Sequence, residues 1–220
     1  MLIQTSYSYD KTKLDALEEC MSVERMNSYY LKTKGDRVKA FELYLWNTAI
    51  SSALYGPLQA LEVSMRNSIN RELCTTYGTK WYENTKPALF LDNQADRLVE
   101  AMKDFDKTRP ITVSDVVASV SFGFWTDILH FEMYDELWKQ CIHRAFPNRP
   151  KGTKRNTLAP MVKRLKDLRN RIAHHEPIFN RDLLREHNSI IDLIGWINPV
   201  ASDWMTQHSL FPSVWSTPRG

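Results

Sequence analysis

Residues 36–78 read DRVKAFELYLWNTAISSALYGPLQALEVSMRNSINRELCTTYG, and the spacing of their apolar members sets the fold class. Val38, Phe41, Leu45, Thr48 and Ser52 fall near one face of a helix, while Leu43, Trp46, Ile50 and Leu54 fall on another. The segment therefore reads as a helix buried on two sides. Gly56-Pro57 then breaks or kinks the pattern, because proline has no N–H to donate and disfavours a helical residue before it. Beyond it Leu58, Leu61, Met65, Ile69 and Leu73 recur at three and four residues. This predicts a separate helix with Pro57 in its first turn and Gly78 ending the element or the loop after it.

The same periodicity extends in both directions. Upstream, Asp10 can cap a helix over residues 11–34 with an irregular stripe of Leu14, Leu17, Met21 and Val23, closed by Gly35. Downstream, residues 81–91 read as a loop with aromatic anchors, and Asp92 or Asn93 starts a helix reaching to about Phe105. Ser114 with Asp115 opens another, which Val116, Val117, Val120, Phe124 and Ile128 carry to Leu129. A basic loop over residues 147–156 precedes Leu158, Met161, Leu165, Leu168 and Ile172 on one face, and Pro177 stops that helix. A last helix spans residues 182–205 with Pro199 as its point of interruption, and residues beyond Pro212 read as a loosely ordered tail. Residues 1–220 thus read as one all-α bundle domain.

Composition agrees. Seven glycines in 220 residues are too few for the turns of a many-stranded sandwich or barrel, whereas 43% hydrophobic residues can fill one core. Cys20, Cys74 and Cys141 show no paired spacing, which suits a reduced, intracellular chain. Neither a secretory signal nor a run of apolar residues long enough to span a membrane is evident, so a soluble cytoplasmic protein is expected. The net charge of +3 points to no partner, but its distribution does. Between Lys139 and Arg181 there are twelve Lys or Arg against Asp167 and Glu176, a local +10, so the remainder carries −7. The basic stretch is a candidate anion-binding face, with Lys151, Lys154, Arg155, Lys163, Arg164, Lys166 and Arg171 as candidate nucleic-acid contacts, and the acidic remainder is not expected to bind such a polyanion.

Within that face lies Leu168-Arg169-Asn170-Arg171-Ile172-Ala173-His174-His175-Glu176-Pro177. At about 100° per residue Asn170 shares a helix face with His174 and Arg171 with His175, whereas Arg169 and His174 stand about 140° apart. These residue types suit phosphodiester cleavage without a metal. Histidine carries protons near neutrality, and arginine presents a permanent cation with forked donors to a phosphorane. The same residues also serve as a structural or generic anion-binding cluster at a helix end, and spacing does not separate the two.

The stretch Arg169-Asn170-Arg171-Ile172-Ala173-His174 resembles the HEPN ribonuclease motif, an Arg, a polar residue and a His after four to six intervening residues. Three further segments look like the Abi family of bacterial abortive-infection proteins: Leu43-Tyr44-Leu45-Trp46-Asn47, Leu61-Glu62-Val63-Ser64-Met65-Arg66-Asn67 and Ser121-Phe122-Gly123-Phe124-Trp125. With the segment Ala173 to Pro177 they form an ordered set along the chain. The resemblance implies a HEPN-like helical bundle and metal-independent RNA cleavage, leaving 2′,3′-cyclic phosphate and 5′-hydroxyl ends, used in phage defence or as a growth-arresting toxin. Carried onto this chain, it implies Arg169 as transition-state cation, Asn170 as orienting residue and His174 as acid or base. His175 also fits the spacing, and His174 is preferred for its turn partner Asn170. HEPN nucleases build a composite site from two motifs, and one motif per chain implies a homodimer.

Arg66-Asn67 has two readings: Glu62 and Arg66 as a helix pair, or Arg66 and Asn67 lining the RNA site from the neighbouring helix. Trp46, Trp81, Tyr44 and the Phe122 to Trp125 cluster read as packing rather than base-stacking platforms. No metal or other cofactor is expected, since Pro177 follows His175-Glu176 where a zinc protease would place helix, and the adjacent arginines repel a cation. The alternatives to a nuclease are a non-catalytic RNA-binding module and an antitoxin-like or scaffold component. A restraining RNA or protein antitoxin is a further partner that a toxin could have.

Overall fold

The computed structural model describes residues 7–83, 89–90, 92–103, 105, 108–130 and 134–217. Among them there is no strand. The helices are α1 (Lys11–Met21), α2 (Val23–Lys32), α3 (Arg37–Tyr77), α4 (Asp92–Met102), α5 (Val113–Ser119), α6 (Phe122–His130), α7 (Asp135–Gln140), α8 (Arg155–Ala173), α9 (Leu183–Ile197), α10 (Pro199–His208) and α11 (Phe211–Trp215). None of them is both long and apolar enough to cross a membrane.

α3 is the axis of the molecule. The expected break at Gly56-Pro57 does not occur, and the helix runs unbroken through 41 residues. An interior proline costs about 3 kcal/mol in a helix. Here it is offset by burial on both sides of the proline, with Ile50, Ala53, Leu54, Pro57, Leu58 and Leu61 all in the core. Asp36 caps the start, its Oδ1 accepting from Lys39 N at 3.1 Å, and Gly78 in left-handed geometry ends it, its N–H reaching Cys74 O. The face of Leu43, Trp46, Ile50 and Leu54 is buried as expected, whereas the other is buried only in part: Phe41 is in the core, but Leu45, Thr48 and Ser52 are exposed.

Two other predicted helices are divided. Ser22, at φ 66°, separates α1 from α2, which accounts for the irregular stripe and leaves Val23 exposed. Val120 and Ser121 separate α5 from α6; the capping residue is Thr112, in a reciprocal box with Asp115, rather than Ser114. The split at Pro199 occurs as expected, with the Asn198 side chain capping α10. Part of the 81–91 loop, residues 84–88 and 91, lies outside the described residues, while Trp81 begins a 3-10 turn and stacks edge-on with Phe90 and Trp125.

One cluster of buried side chains extends from Leu14 to Phe211. Its end corrects the reading of a loose tail, because residues 211–215 form α11. Phe211 lies flat against His187, with ring centroids 4.3 Å apart, and Trp215 packs on Trp46.

Candidate functional site

α8 carries the Arg-Asn-His segment, and its apolar stripe of Leu158, Val162, Leu165 and Leu168 fixes which face turns inward. The end of α8 is closed by two characteristic bonds: Glu176 N donates to Arg171 O at 2.8 Å and His175 N to Ile172 O at 3.1 Å. His175 occupies the left-handed position between them, at φ 56°. Glycine is usual there, and histidine is among the few residues enriched among the exceptions. Three partners hold this turn. Arg25 Nη1 donates to His175 O at 2.9 Å, Arg171 Nη1 donates to Pro177 O at 3.2 Å, and Asn47 Oδ1 accepts from the buried Ile178 N at 2.8 Å.

Two pockets open along α3 beside this turn and meet at Tyr55. The larger, about 490 Å³, is lined by Tyr29, Tyr44, Asn47, Thr48, Ser51, Ser52, Tyr55, Ile172, Ala173 and His175. The smaller, about 210 Å³, is lined by Tyr55, Leu58, Gln59, Glu62, Val63, Arg66 and Arg169. Glu62, 17% exposed, takes Arg169 Nε at 3.4 Å across the gap between helices. It makes no ion pair with Arg66, so the expected pair along α3 is replaced by one between α3 and α8. Two guanidiniums facing one carboxylate leave this pocket with a net positive charge suited to an anion.

The predicted residues thus divide. Arg169 and Arg66 share the small pocket, and His175 lines the large one. Asn170 and His174 are exposed and line neither, and Asn67 is also exposed. The side chains of Asn170, His174 and His175 make no hydrogen bond or ion pair among the described residues.

The basic stretch is not one open cationic face. Arg155 is a correction: it is 7% exposed, bound to Asp135 Oδ1 at 2.5 Å and to the carbonyls of Leu129 and His130, and is unavailable to RNA. Lys166 pairs with the buried Asp127, Lys163 with Asp167 and Arg171 with Glu176. Arg164 keeps a buried Nε. Lys151 and Lys154 are exposed and carry no ion pair among the described residues. The acids in several of these pairs come from the −7 remainder of the chain, so a charge asymmetry along the sequence is largely matched in space. Conversely, that remainder supplies Tyr55 and Arg66 to the pockets.

Trp46, Trp81 and Trp125 are buried, as their packing role requires, but Tyr44 lines the large pocket. The pocket residues that the sequence reading missed, Tyr29, Thr48, Ser51, Ser52, Tyr55 and Gln59, carry one legible signal. Thr48, Ser51, Ser52, Tyr55 and Gln59 recur at helical spacing on the polar flank of α3.

A family model described as Abi-like protein matches residues 5–180. The chain belongs to the Abi-like protein family. This membership suggests a role in abortive infection, a bacterial defence against phage. No curated protein and no solved structure matches the chain. In this Abi-like protein the matched region ends just before Asp182 caps α9, so both pockets and the end of α8 lie within it.

Asn47 links two of the family-like segments: it lies on α3 and holds the backbone that follows His175-Glu176-Pro177. Removing its oxygen strands a buried N–H, at a cost of about 1–3 kcal/mol. Asn47→Leu is expected to lower stability by that amount in urea unfolding, without loss of helix content in the folded state.

Proposed function

We propose that this Abi-like protein is a homodimeric endoribonuclease of the HEPN type, cleaving RNA without a metal. The observation that carries the reading is the end of α8, where Asn170, His174 and His175 keep uncommitted side chains within six residues of Arg169, which lines a pocket with Arg66. In the reaction the ribose 2′-oxygen bonds to the adjacent phosphorus while the bond to the 5′-oxygen breaks. A base takes the 2′-hydroxyl proton, an acid protonates the departing 5′-oxygen, and the products are a 2′,3′-cyclic phosphate and a 5′-hydroxyl.

Arg169 supplies positive charge to the phosphorane, His174 carries the proton with Asn170 one turn away, and His175 and Arg66 guide the strand. Within one copy Arg169 lies in the pocket while His174 lines neither pocket, which supports a site completed by a second copy across a two-fold axis.

Purified protein incubated with single-stranded RNA in EDTA is expected to cleave it and to leave cyclic phosphate ends. Cleavage abolished by the chelator, or retained after combined His174→Ala and His175→Ala substitution, overturns the mechanism. A biological effect that survives His174→Ala would instead favour the non-catalytic RNA binder.

A further inference from the structure

The two pockets that meet at Tyr55 differ in charge, and the difference has chemical content. Around the smaller stand Arg66, Arg169 and Glu62; around the larger no lining residue carries a formal charge apart from what His175 acquires on protonation. A phosphate fits the first and a neutral group fits the second. The walls of the second are aromatic. Tyr29 is fully buried, with its ring 5.3 Å from that of Tyr44, and Tyr55 is 59% exposed at the junction with the arginine pocket.

Several polar groups here are unspent, although Thr48 Oγ1 donates to Tyr44 O at 3.0 Å. The Tyr29 hydroxyl is buried without a partner among the described residues, and burial pushes its pKa up to about 12, so it remains a neutral donor. Asn47 is 5% exposed, and its amide orientation is set by chemistry: the Ile178 N–H needs an oxygen, so the oxygen lies there. Its NH₂ is left without a partner among the described residues, on a side chain that lines the pocket. Ser51 and Ser52 likewise make no side-chain hydrogen bond among the described residues. Aromatic walls, a few unmatched donors and acceptors, and no fixed charge describe a site for a planar, neutral heteroaromatic ring with polar edges.

We infer that the larger pocket holds a single unpaired nucleobase of the RNA, next to a backbone phosphate at Arg66 and Arg169. This rests on the reading of the chain as an RNA-cleaving protein and adds the substrate class, a strand with at least one base free to leave its stack. A base in a duplex has its edge paired and its face stacked, and would have to be flipped out to enter. Tyr55, exposed between the pockets, is the stacking residue.

The test uses binding, so that it does not depend on cleavage. The probe is a fluorescent 2′-O-methyl oligonucleotide, which lacks the attacking hydroxyl, presented single-stranded, as a duplex, and as an otherwise identical strand made of abasic units. The single strand is expected to bind tightest, and Tyr55→Ala to weaken it about tenfold, the equivalent of losing one stacked base. Tyr55→Phe is expected to bind nearly as well as the wild type. On the abasic strand Tyr55→Ala is expected to have no effect, since the phosphates remain and the base does not. Equal affinity for duplex and single strand, an undiminished Tyr55→Ala effect on the abasic strand, or no binding of the single strand at low salt would each overturn the inference. A protein that binds in this pattern but cleaves nothing would overturn the nuclease reading alone.

Discussion

His174→Ala is expected to slow cleavage of single-stranded RNA by about 10²–10⁴-fold, the usual cost of removing one acid–base group. Arg169→Ala is expected to lose a comparable factor, since a cation aimed at the developing charge of a transition state contributes on that scale. His175→Ala is expected to act chiefly on substrate affinity, because His175 lines the pocket wall while its backbone is held by Arg25. Substrate-saturation kinetics on the single variants separate these effects; full activity of His174→Ala with loss in His175→Ala would move the proton carrier to the pocket side.

A site shared between two copies, as proposed, carries a sharper expectation. Where Arg169 of one copy works with His174 of the other, mixing the two inactive variants rebuilds one intact site in every mixed dimer. Random assortment then returns roughly a quarter of wild-type activity. If each copy used its own pair, mixing would restore nothing. Subunit exchange followed by a cleavage assay reads the difference, and failure to recover activity from exchanged variants would refute the two-copy site.

Much of the architecture was legible because it depends on local chemistry. Glycine scarcity and recurrence at three and four residues pointed to an all-helical chain, and the stripe from Leu158 to Leu168 gave the inward face of α8. Gly56-Pro57 misled for a physical reason: a local cost of about 3 kcal/mol is decisive in an isolated helix and minor in one whose flanks are buried on both sides. Val120 and Ser121 misled in the opposite sense, since the apolar recurrence continues across a break that preserves the inward face on either side.

The proposed site was legible as a pattern of residues but not as a place. Helical geometry separates Arg169 from His174, and no rule of spacing foretells that His175 will take the left-handed turn. Nor does sequence reveal that a polar flank of α3, more than a hundred residues upstream, will form the opposite wall. Charge was the least transferable signal. A local +10 along the chain says where cations are, whereas their partners Glu62, Glu72, Asp127 and Asp135 are set by tertiary packing.

Arg155 shows how far apart these two descriptions are, and its substitution should have the largest effect on stability. The side chain is 8% exposed, and its Nη1 donates to Leu129 O at 2.9 Å and His130 O at 3.1 Å. Those are the last two residues of α6, whose terminal carbonyls have no partner within the helix, so a guanidinium there caps the end and opposes its dipole. Arg155→Ala removes this cap and leaves Asp135 alone. Breaking a buried charged pair costs about 3–5 kcal/mol, and the lower figure applies because Asp135 is 55% exposed and can be rehydrated. Urea unfolding is therefore expected to show a loss of about 3 kcal/mol, while the folded fraction keeps an unchanged salt dependence of RNA binding. Lys151→Ala and Lys154→Ala should do the reverse, with stability within about 0.5 kcal/mol of wild type and a shallower salt slope, by about one for each lysine that neutralises a phosphate. A stable Arg155→Ala protein with a shallower salt slope would return Arg155 to the RNA-binding surface and remove it from the core.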